Sequence, residues 1–212
     1  MKHRPRLEIQ GLTCRHVGPL DLSLAPRECV TLSGPSGAGK TLLLRALADL
    51  DPWEGRVLLD GVECRDTQPH QWRRRVGMLP AESAWWGDTV REHFESPGEA
   101  ETERLGFGPE VMDWAVSRLS TGERQRLALL RLLGIAPRAL LLDEPTANLD
   151  PDGTLRIERL LSDYLALHDA CCLWITHDPE QASRVSTRHF VLSGGMLRKA
   201  RGPGGKETAS WA

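Results

Sequence analysis

The chain has 212 residues, of which 40% are apolar and 26% are charged, a composition typical of a globular protein with a buried core. The formal net charge of −2 excludes the strongly basic balance that nucleic-acid binding usually requires, so we expect no nucleic-acid partner. The apolar runs are far shorter than the roughly 20 residues that a membrane-spanning helix needs. Any role at a membrane is therefore expected to depend on a partner protein.

The cysteines and the N-terminus indicate a reducing compartment. The five cysteines form no C-x-x-C pair and no other metal-ligand spacing, and two of them are adjacent within an apolar run: Cys14, Cys29, Cys64, Cys171 and Cys172. Thiols of this kind are expected to be packed and reduced. The basic N-terminus is not followed by the apolar stretch of a signal peptide, which favours a cytoplasmic location.

The N-terminal third alternates short apolar runs with polar breaks. We predict strands over 7–12, 20–24, 29–32, 56–59 and 76–79. Between the third and the fourth strand, four residues recur at helical spacing and are expected to share the buried face of a helix: Leu43, Ala46, Leu47 and Leu50. The pair Asp60-Gly61 predicts a tight turn after the fourth strand.

Residues 82–135 are predicted to form a short helical subdomain. Apolar residues become sparse there, and glycine and proline interrupt the chain repeatedly. We therefore expect only short helices over 88–95 and 109–118, followed by a long helix over 122–133.

The C-terminal third alternates strands with helices. Strands are predicted over 139–142, 171–176, 190–193 and 196–198, with helices over 152–168 and 179–184. This alternation predicts an α/β fold with a largely parallel sheet, in which ligands bind at the carboxyl ends of the strands. We assign residues 1–200 to one domain and expect a disordered tail over 201–212.

A glycine-rich loop between a predicted strand and a predicted helix matches the phosphate-binding pattern G-x-x-x-x-G-K-[ST] at every position. The glycines let backbone N–H groups converge on phosphate oxygens, and the following helix adds a partial charge of about +0.5 at its N-terminus. Lys40 is expected to reach the terminal phosphates, and Thr41 to offer its hydroxyl to Mg²⁺. The predicted phosphate-binding residues are Gly34, Pro35, Ser36, Gly37, Ala38, Gly39, Lys40 and Thr41.

Two adjacent acids, Asp143 and Glu144, follow the apolar run 139–142. Asp143 is placed to hold Mg²⁺, and Glu144 to orient or deprotonate an attacking water, because phosphoryl transfer needs positioning more than covalent chemistry. Two acids after a strand can also form a helix cap or a turn. Their place about 100 residues after the phosphate loop, followed by Pro145-Thr146, favours the catalytic interpretation.

Three ordered motifs beyond the phosphate loop resemble those of the ATP-binding cassette (ABC) family. Residues 119–126 (LSTGERQR) are similar to the LSGGQ/E signature, with Thr121 in place of one glycine. Residues 143–150 (DEPTANLD) resemble the Walker B and D-loop segment, and residues 175–178 (ITHD) the switch-histidine segment. The resemblance covers nearly the whole chain. It implies a P-loop NTPase core with a mostly parallel sheet, an N-terminal antiparallel β part and a short helical subdomain.

The resemblance also implies a head-to-tail homodimer formed around ATP. Each ATP would lie between the phosphate loop of one copy and the signature helix of the other. Ser120, Gly122 and Glu123 would then belong to the nucleotide site of the other copy, since a helix N-terminus offers N–H donors to a γ-phosphate. Asp150 would act across the same dimer interface.

The catalytic roles that the resemblance implies fall on three residues. Glu144 would be the catalytic base, His177 would contact the γ-phosphate, and Lys40 would hold the terminal phosphates. Hydrolysis would release the dimer and energise transport by separate transmembrane permease subunits. The chain would then lie peripherally on the inner face of the cell membrane.

Two positions depart from the family pattern. The family places a glutamine after the strand predicted over 76–79, where this chain has Ala81 or, with a one-residue shift, Glu82. Glu82 could meet Mg²⁺ or could be a solvated side chain. An aromatic residue usually stacks on adenine near the N-terminus, and His16 occupies that place here; an imidazole would stack more weakly.

Trp85-Trp86 lies in the subdomain that docks onto the membrane subunit in the family. The pair is either an exposed aromatic anchor or part of the subdomain core. The short insert and residues 87–90 (GDTV) are similar to small bacterial cassettes of the export type, including those linked to metal efflux.

Three other functions fit parts of the sequence. A soluble cassette ATPase of DNA repair or translation usually has two cassettes in one chain or a long coiled-coil insertion, and neither is found here. A small-molecule kinase would not need the signature at 119–123. A nucleotide-gated module with little turnover is disfavoured by the complete set of Lys40, Asp143, Glu144 and His177.

Overall fold

The computed structural model describes residues 4–95 and 99–200. The strands are β1 (Leu7–Cys14), β2 (Val17–Leu24), β3 (Cys29–Ser33), β4 (Glu54–Leu59), β5 (Val62–Glu63), β6 (Val76–Leu79), β7 (Ala139–Asp143), β8 (Cys171–Ile175), β9 (Arg188–Ser193) and β10 (Met196–Lys199). The helices are α1 (Lys40–Leu47), α2 (Pro69–Arg75), α3 (Glu99–Arg104), α4 (Thr121–Gly134), α5 (Pro151–His168) and α6 (Pro179–Val185). Every strand predicted from the sequence is confirmed, with small differences at the ends, whereas β5 was not predicted.

Two sheets form the frame of the molecule. The smaller sheet has the order β2-β1-β4-β5, and its neighbouring strands are antiparallel. The larger sheet has the order β10-β9-β3-β8-β7-β6, and its pairs are parallel except for β9 with β10. This arrangement confirms the predicted α/β fold with an antiparallel N-terminal part and a mostly parallel sheet.

The parallel sheet is buried on both faces, which explains the continuous apolar runs in β7 and β8. Leu141 and Leu173 belong to an apolar cluster shared with α1 and the antiparallel sheet. Leu140, Leu142 and Trp174 belong to a second cluster, shared with α4 and α5. Successive strand residues thus enter opposite layers of the core. The five cysteines are all buried and form no disulfide, as predicted.

Helix α1 ends earlier than the sequence pattern indicates. Asp49 has a left-handed backbone with φ of 55°, and its N–H bonds back to Ala46 O at 3.0 Å. The N–H of Leu50 bonds to Arg45 O at 2.9 Å, which completes a C-terminal cap of the helix. Leu50 is therefore 45% exposed, and its predicted place on the buried helix face is wrong.

The subdomain predicted over 82–135 contains less α-helix than expected before α4. Arg91–His93, Pro109–Asp113 and Val116–Arg118 form 3₁₀ turns where two short helices were predicted, because glycine and proline interrupt regular hydrogen bonding there. Helix α3 lies between these turns and was not predicted. The limits of the domain and subdomain stay predictions, and the tail over 201–212 lies outside the described residues.

Candidate nucleotide-binding site

The loop between β3 and α1 adopts a conformation that glycine accepts most easily. Gly34, Gly37 and Gly39 have φ values of 144°, 75° and 98°. A side chain at Gly34 would collide with the Leu192 carbonyl, and one at Gly39 would collide with the Val17 side chain. The loop is therefore packed between β9 and β2. Gly39 precedes α1 without a side chain to cap it, so the first amides of the helix remain available to an anion.

The amine of Lys40 lies folded against this loop. The residue is buried, and its Nζ donates hydrogen bonds to Gly34 O at 2.9 Å and Pro35 O at 3.1 Å. One positive charge is thus held beside the converging amides of the loop. This is the place where the sequence predicts the terminal phosphates.

Two of the three residues predicted as metal ligands contact each other, although they come from separate motifs. The Thr41 hydroxyl donates a hydrogen bond to Asp143 Oδ2 at 2.7 Å, although 102 positions separate them in the chain. Asp143 ends β7 and Thr41 lies in the first turn of α1, so both are at the carboxyl edge of the sheet. Two adjacent oxygen ligands suit Mg²⁺, which proteins usually hold through one or two side chains together with phosphates and water.

Glu144 and His177 follow neighbouring parallel strands and meet at the same edge. Asp143 pairs with Ile175 in the register of β7 and β8, and the Glu144 N–H donates to Ile175 O at 3.2 Å. Glu144 has a left-handed backbone with φ of 48°, which turns the chain sharply after the strand. His177 Nε2 lies 3.1 Å from Glu144 Oε1. The two side chains are partly exposed, so both can be reached by solvent and by a ligand.

The signature segment forms a closed cap at the start of α4. Ser120 is the N-cap; its Oγ accepts a bond from the Glu123 N–H at 3.3 Å, and its own N–H and hydroxyl both donate to Glu123 Oε2 at 2.8 Å. These bonds from the Ser120 amide and hydroxyl hold the pKa of the Glu123 carboxyl below its ordinary value. Glu123 therefore positions Ser120 in this structure. A direct contact of the carboxylate with a phosphate stays a prediction.

The signature helix contacts the D-loop of its own chain. A Cβ added at Gly122 would lie 3.0 Å from Asn148 O and 3.1 Å from the Leu149 side chain, so the backbones are close there. Asp150 is the N-cap of α5, and its Oδ1 accepts a bond from the Gly153 N–H at 2.9 Å. Its predicted action across a dimer is not tested by this contact. Between described residues, no hydrogen bond joins Ser120 to the phosphate loop.

The two departures from the family pattern lie on exposed segments near these motifs. His16 is in the turn between β1 and β2, and its Nε2 is 3.2 Å from the position that a Cβ on Gly39 would occupy. An exposed imidazole therefore flanks the phosphate loop. Ala81 and Glu82 follow β6 and are both exposed. Stacking by His16 and metal binding by Glu82 stay predictions.

Sequence reasoning missed a buried polar cluster beside Glu144 and His177. Gln181 and Thr176 are 3% and 5% exposed, and Gln181 hydrogen-bonds both Thr176 and Thr146. Together with Glu144 and His177 they line a cavity of about 370 Å³. Thr176 and Gln181 are polar residues on either side of His177, but the periodicity of a short helix does not reveal that they are buried.

The fold and this set of contacts define a P-loop nucleoside triphosphatase, with a glycine loop, a lysine, a threonine–aspartate pair and a glutamate at one edge of a parallel sheet. Comparison with known proteins gives the family. A family profile described as ABC transporter matches residues 17–147. The chain therefore belongs to the ABC transporter family, and it is an ATP-binding subunit with ATPase activity.

Named relatives agree with this assignment. Phosphate import ATP-binding protein PstB of Aeropyrum pernix is 31% identical over 223 residues, which cover 88% of this chain and 84% of the relative. Sulfate/thiosulfate import ATP-binding protein CysA of Methylococcus capsulatus is 37% identical over 202 residues, which cover 85% of this chain and 57% of the relative.

A solved structure of a bacterial Atm1-family ABC exporter with ATP bound superposes with a TM-score of 0.80 at 26% identity, covering 92% of this chain and 38% of that chain. The present chain thus spans a little over half of the sulfate relative and under half of the exporter. The named relatives are importers and the solved structure is an exporter. The export type suggested by the sequence therefore stays a prediction.

Proposed function

We propose that this chain binds MgATP at the edge formed by β3, β7 and β8 and that hydrolysis there energises transport by separate transmembrane subunits. The observation that carries the proposal is the convergence of two groups of side chains. One group is Lys40 with the contacting pair Thr41 and Asp143. The other is the pair Glu144 and His177 at 3.1 Å.

Thr41 and Asp143 would hold Mg²⁺, which when bound neutralises charge on the β- and γ-phosphates. The loop amides and the start of α1 would bind the phosphate oxygens, and the Lys40 ammonium would supply a further positive charge. Thr41 and Asp143 already contact each other, and the Lys40 amine already lies against the phosphate loop. Binding would then orient the γ-phosphate toward Glu144.

The chemical step would use Glu144 and His177. The Glu144 carboxylate would accept a hydrogen bond from the attacking water and take its proton. His177, whose Nε2 lies 3.1 Å from this carboxylate, would contact the γ-phosphate. The protein would thereby contribute mainly positioning and charge, which is what phosphoryl transfer requires.

The signature segment would complete the site of a second copy. The capped N-terminus of α4 offers amide donors and the Ser120 hydroxyl, a combination suited to a phosphate. In this chain the segment packs against its own D-loop rather than its own phosphate loop. ATP would therefore join two copies head to tail, and hydrolysis would separate them.

Trp86 would contact the membrane partner, whereas Trp85 is partly buried and packs against the second apolar cluster. The Trp86 side chain is 71% exposed, and its ring lies 4.5 Å from the His93 ring and 4.8 Å from the Arg131 guanidinium carbon. His93 Nε2 accepts the N–H groups of Trp86 and Gly87 at 2.9 Å and 3.0 Å, which fixes the backbone beneath the ring. A rigid exposed tryptophan beside a cation is typical of a protein interface.

None of the helices in residues 4–95 and 99–200 has both the length and the apolar character to cross a bilayer. The proposed place of action is the inner face of the cell membrane, with transmembrane subunits supplied by other chains. The exposed Trp86 ring would form part of the contact between this chain and those transmembrane subunits.

A phosphate-release assay on the purified chain, beside the Glu144→Gln variant, tests the proposed hydrolysis. Loss of the carboxylate base should lower kcat at least about a hundredfold, because a general base contributes a factor of that order. ATP binding should persist, since the phosphate loop is unchanged. Equal turnover by the wild type and the variant would remove Glu144 from the mechanism. Absence of turnover in both would favour a nucleotide-gated module.

A further inference from the structure

A buried glutamine on α6 connects the two segments that carry the proposed catalytic pair. Gln181 Oε1 accepts a hydrogen bond from the Thr176 hydroxyl at 2.8 Å. Its Nε2 donates to Thr146 Oγ1 at 2.9 Å and to Glu158 Oε1 at 3.1 Å. An ionised carboxylate can only accept hydrogen bonds, so the Gln181 amide must turn its NH₂ group toward Glu158.

The positions of the two threonines give this bridge its significance. Thr176 directly precedes His177, and Thr146 follows Glu144 by two residues. The amide of Gln181 therefore spans the ends of β7 and β8 at the point where Glu144 and His177 face each other. The Asp178 N–H also donates to the Thr176 hydroxyl, at 3.1 Å, so the turn that carries the histidine is fixed from both sides.

The bridge is anchored to the body of the protein through α5. The Glu158 side chain is only 9% exposed and is held by Arg184 of α6 through two bonds, at 2.8 Å and 3.0 Å. Buried polar groups are costly to leave without hydrogen-bond partners, so these side chains favour the one arrangement in which all of these bonds are made. Helix α5, helix α6 and the segment after β7 are thereby connected beneath the cavity that Glu144 and His177 line.

We propose that Gln181 is a positioning residue that sets the placement of His177 relative to Glu144 and thereby the rate of ATP hydrolysis. The proposal rests on the proposed function of these two residues. Gln181 acts through Thr146 and Thr176, and its own bonds go to these threonines and to Glu158. Its loss should therefore slow the chemical step and leave nucleotide binding nearly unchanged.

The first variant is Gln181→Met, which has a similar volume and makes none of these hydrogen bonds. We expect kcat to fall about tenfold or more, because a small misplacement of catalytic groups is expensive, while KM for ATP stays within about twofold. Ser183→Ala, an exposed position on the same helix, is the matched control and should retain wild-type kcat. A Gln181→Met protein with kcat within twofold of wild type would overturn the proposal.

Exchanging the amide of Gln181 with the carboxylate of Glu158 provides a rescue experiment. It distinguishes a positioning role from a general loss of structure. Gln181→Glu alone places a second carboxylate beside Glu158 and should lower kcat as much as Gln181→Met does. Adding Glu158→Gln restores an amide–carboxylate pair with the donor on the other residue, and kcat should recover to within about threefold of wild type. If the double variant remains as slow as Gln181→Glu although its thermal midpoint is restored, the proposal is overturned.

Thr176→Val provides a milder change should Gln181→Met fail to fold, since it removes one bond of the bridge, together with the bond from the Asp178 N–H. A kcat reduced about fivefold at unchanged KM would support the proposal, and an unchanged kcat would contradict it. Glu144→Gln measured in parallel separates this test from that of the proposed function. If Glu144→Gln turns over like wild type, the proposed function fails; if only the Gln181 variants do, the positioning role alone fails.

Discussion

At the scale of single residues, Ser120 is already engaged by a side chain of its own chain. A serine hydroxyl has one proton to donate, and here it is donated to Glu123 at 2.8 Å. A phosphate from another copy would have to compete for that proton. It would also approach a carboxylate that its hydrogen bonds hold in the charged form. Glu123 thus stabilises the helix cap and opposes an incoming anion.

Glu123→Gln should separate these two effects. The amide oxygen of glutamine can still accept from the Ser120 N–H, whereas the negative charge beside the expected phosphate is removed. Two like charges about 4 Å apart in water repel by about 1 kcal/mol, so the ATP concentration for half-maximal dimerisation should fall about fivefold. Light scattering during an ATP titration measures this concentration for Glu144→Gln and for Glu144→Gln/Glu123→Gln. The control is Glu110→Gln, at an exposed position, in the same Glu144→Gln background.

An unchanged or higher ATP requirement in Glu144→Gln/Glu123→Gln would show that the carboxylate does not oppose the incoming nucleotide. The cap would then be the whole role of Glu123. A fall of similar size in the Glu110 control would attribute the effect to net charge rather than to this position.

At the scale of elements, the sequence was most informative where one pattern dominates. The buried strands β7 and β8 were predictable because both faces of each are covered, which makes the runs continuously apolar. Leu50 was mispredicted because the left-handed turn at Asp49 ends α1, and helical periodicity does not encode such an end. The residues of α3 have no such dominant pattern, and this helix was missed.

The candidate site likewise has a part that the sequence predicts and a part that it does not. The phosphate loop, Asp143, Glu144 and His177 were predictable because each belongs to a short local motif. The Gln181 bridge was not, since it depends on side chains from three segments that meet only after the sheet has formed. Nothing in the sequence of a seven-residue helix shows whether its glutamine is buried with several hydrogen bonds or is exposed to solvent.

The segment around Trp86 gives an element-scale prediction about the membrane partner. Trp86→Ala removes a large exposed ring without touching the phosphate loop, so basal ATPase activity should be unchanged. Loss of a central interface tryptophan usually weakens binding by about tenfold or more. The fraction of tagged chain that sediments with membranes of the source cells should fall accordingly. Leu167→Ala, an 80% exposed apolar side chain on α5, should not alter it.

Retention of the Trp86→Ala protein on membranes at the wild-type level would place the contact elsewhere. A parallel loss in the Leu167→Ala control would indicate nonspecific adhesion through exposed apolar side chains. Either result would leave the proposed ATP chemistry untouched, since neither residue contacts the phosphate loop.

At the scale of the whole molecule, the two apolar clusters cover the two faces of the parallel sheet. Its carboxyl edge carries the phosphate loop, the Thr41–Asp143 pair and the Glu144–His177 pair. Gly122 of the signature segment lies instead against the D-loop of its own chain. Under the proposed function, a single copy would offer one half of a site at the sheet edge and the other half at the signature segment. Two copies arranged head to tail would complete both halves with the same contacts.

The most direct test is the molar mass of the Glu144→Gln protein by size-exclusion chromatography with light scattering. With saturating ATP and Mg²⁺ the mass should double from 23.6 kDa, because nucleotide is bound and not consumed. Adding Ser120→Arg, which blocks the signature segment, should keep the protein at the single-chain mass. A Glu144→Gln protein that stays at 23.6 kDa in saturating MgATP, or a Ser120→Arg protein that doubles equally well, would contradict the shared site.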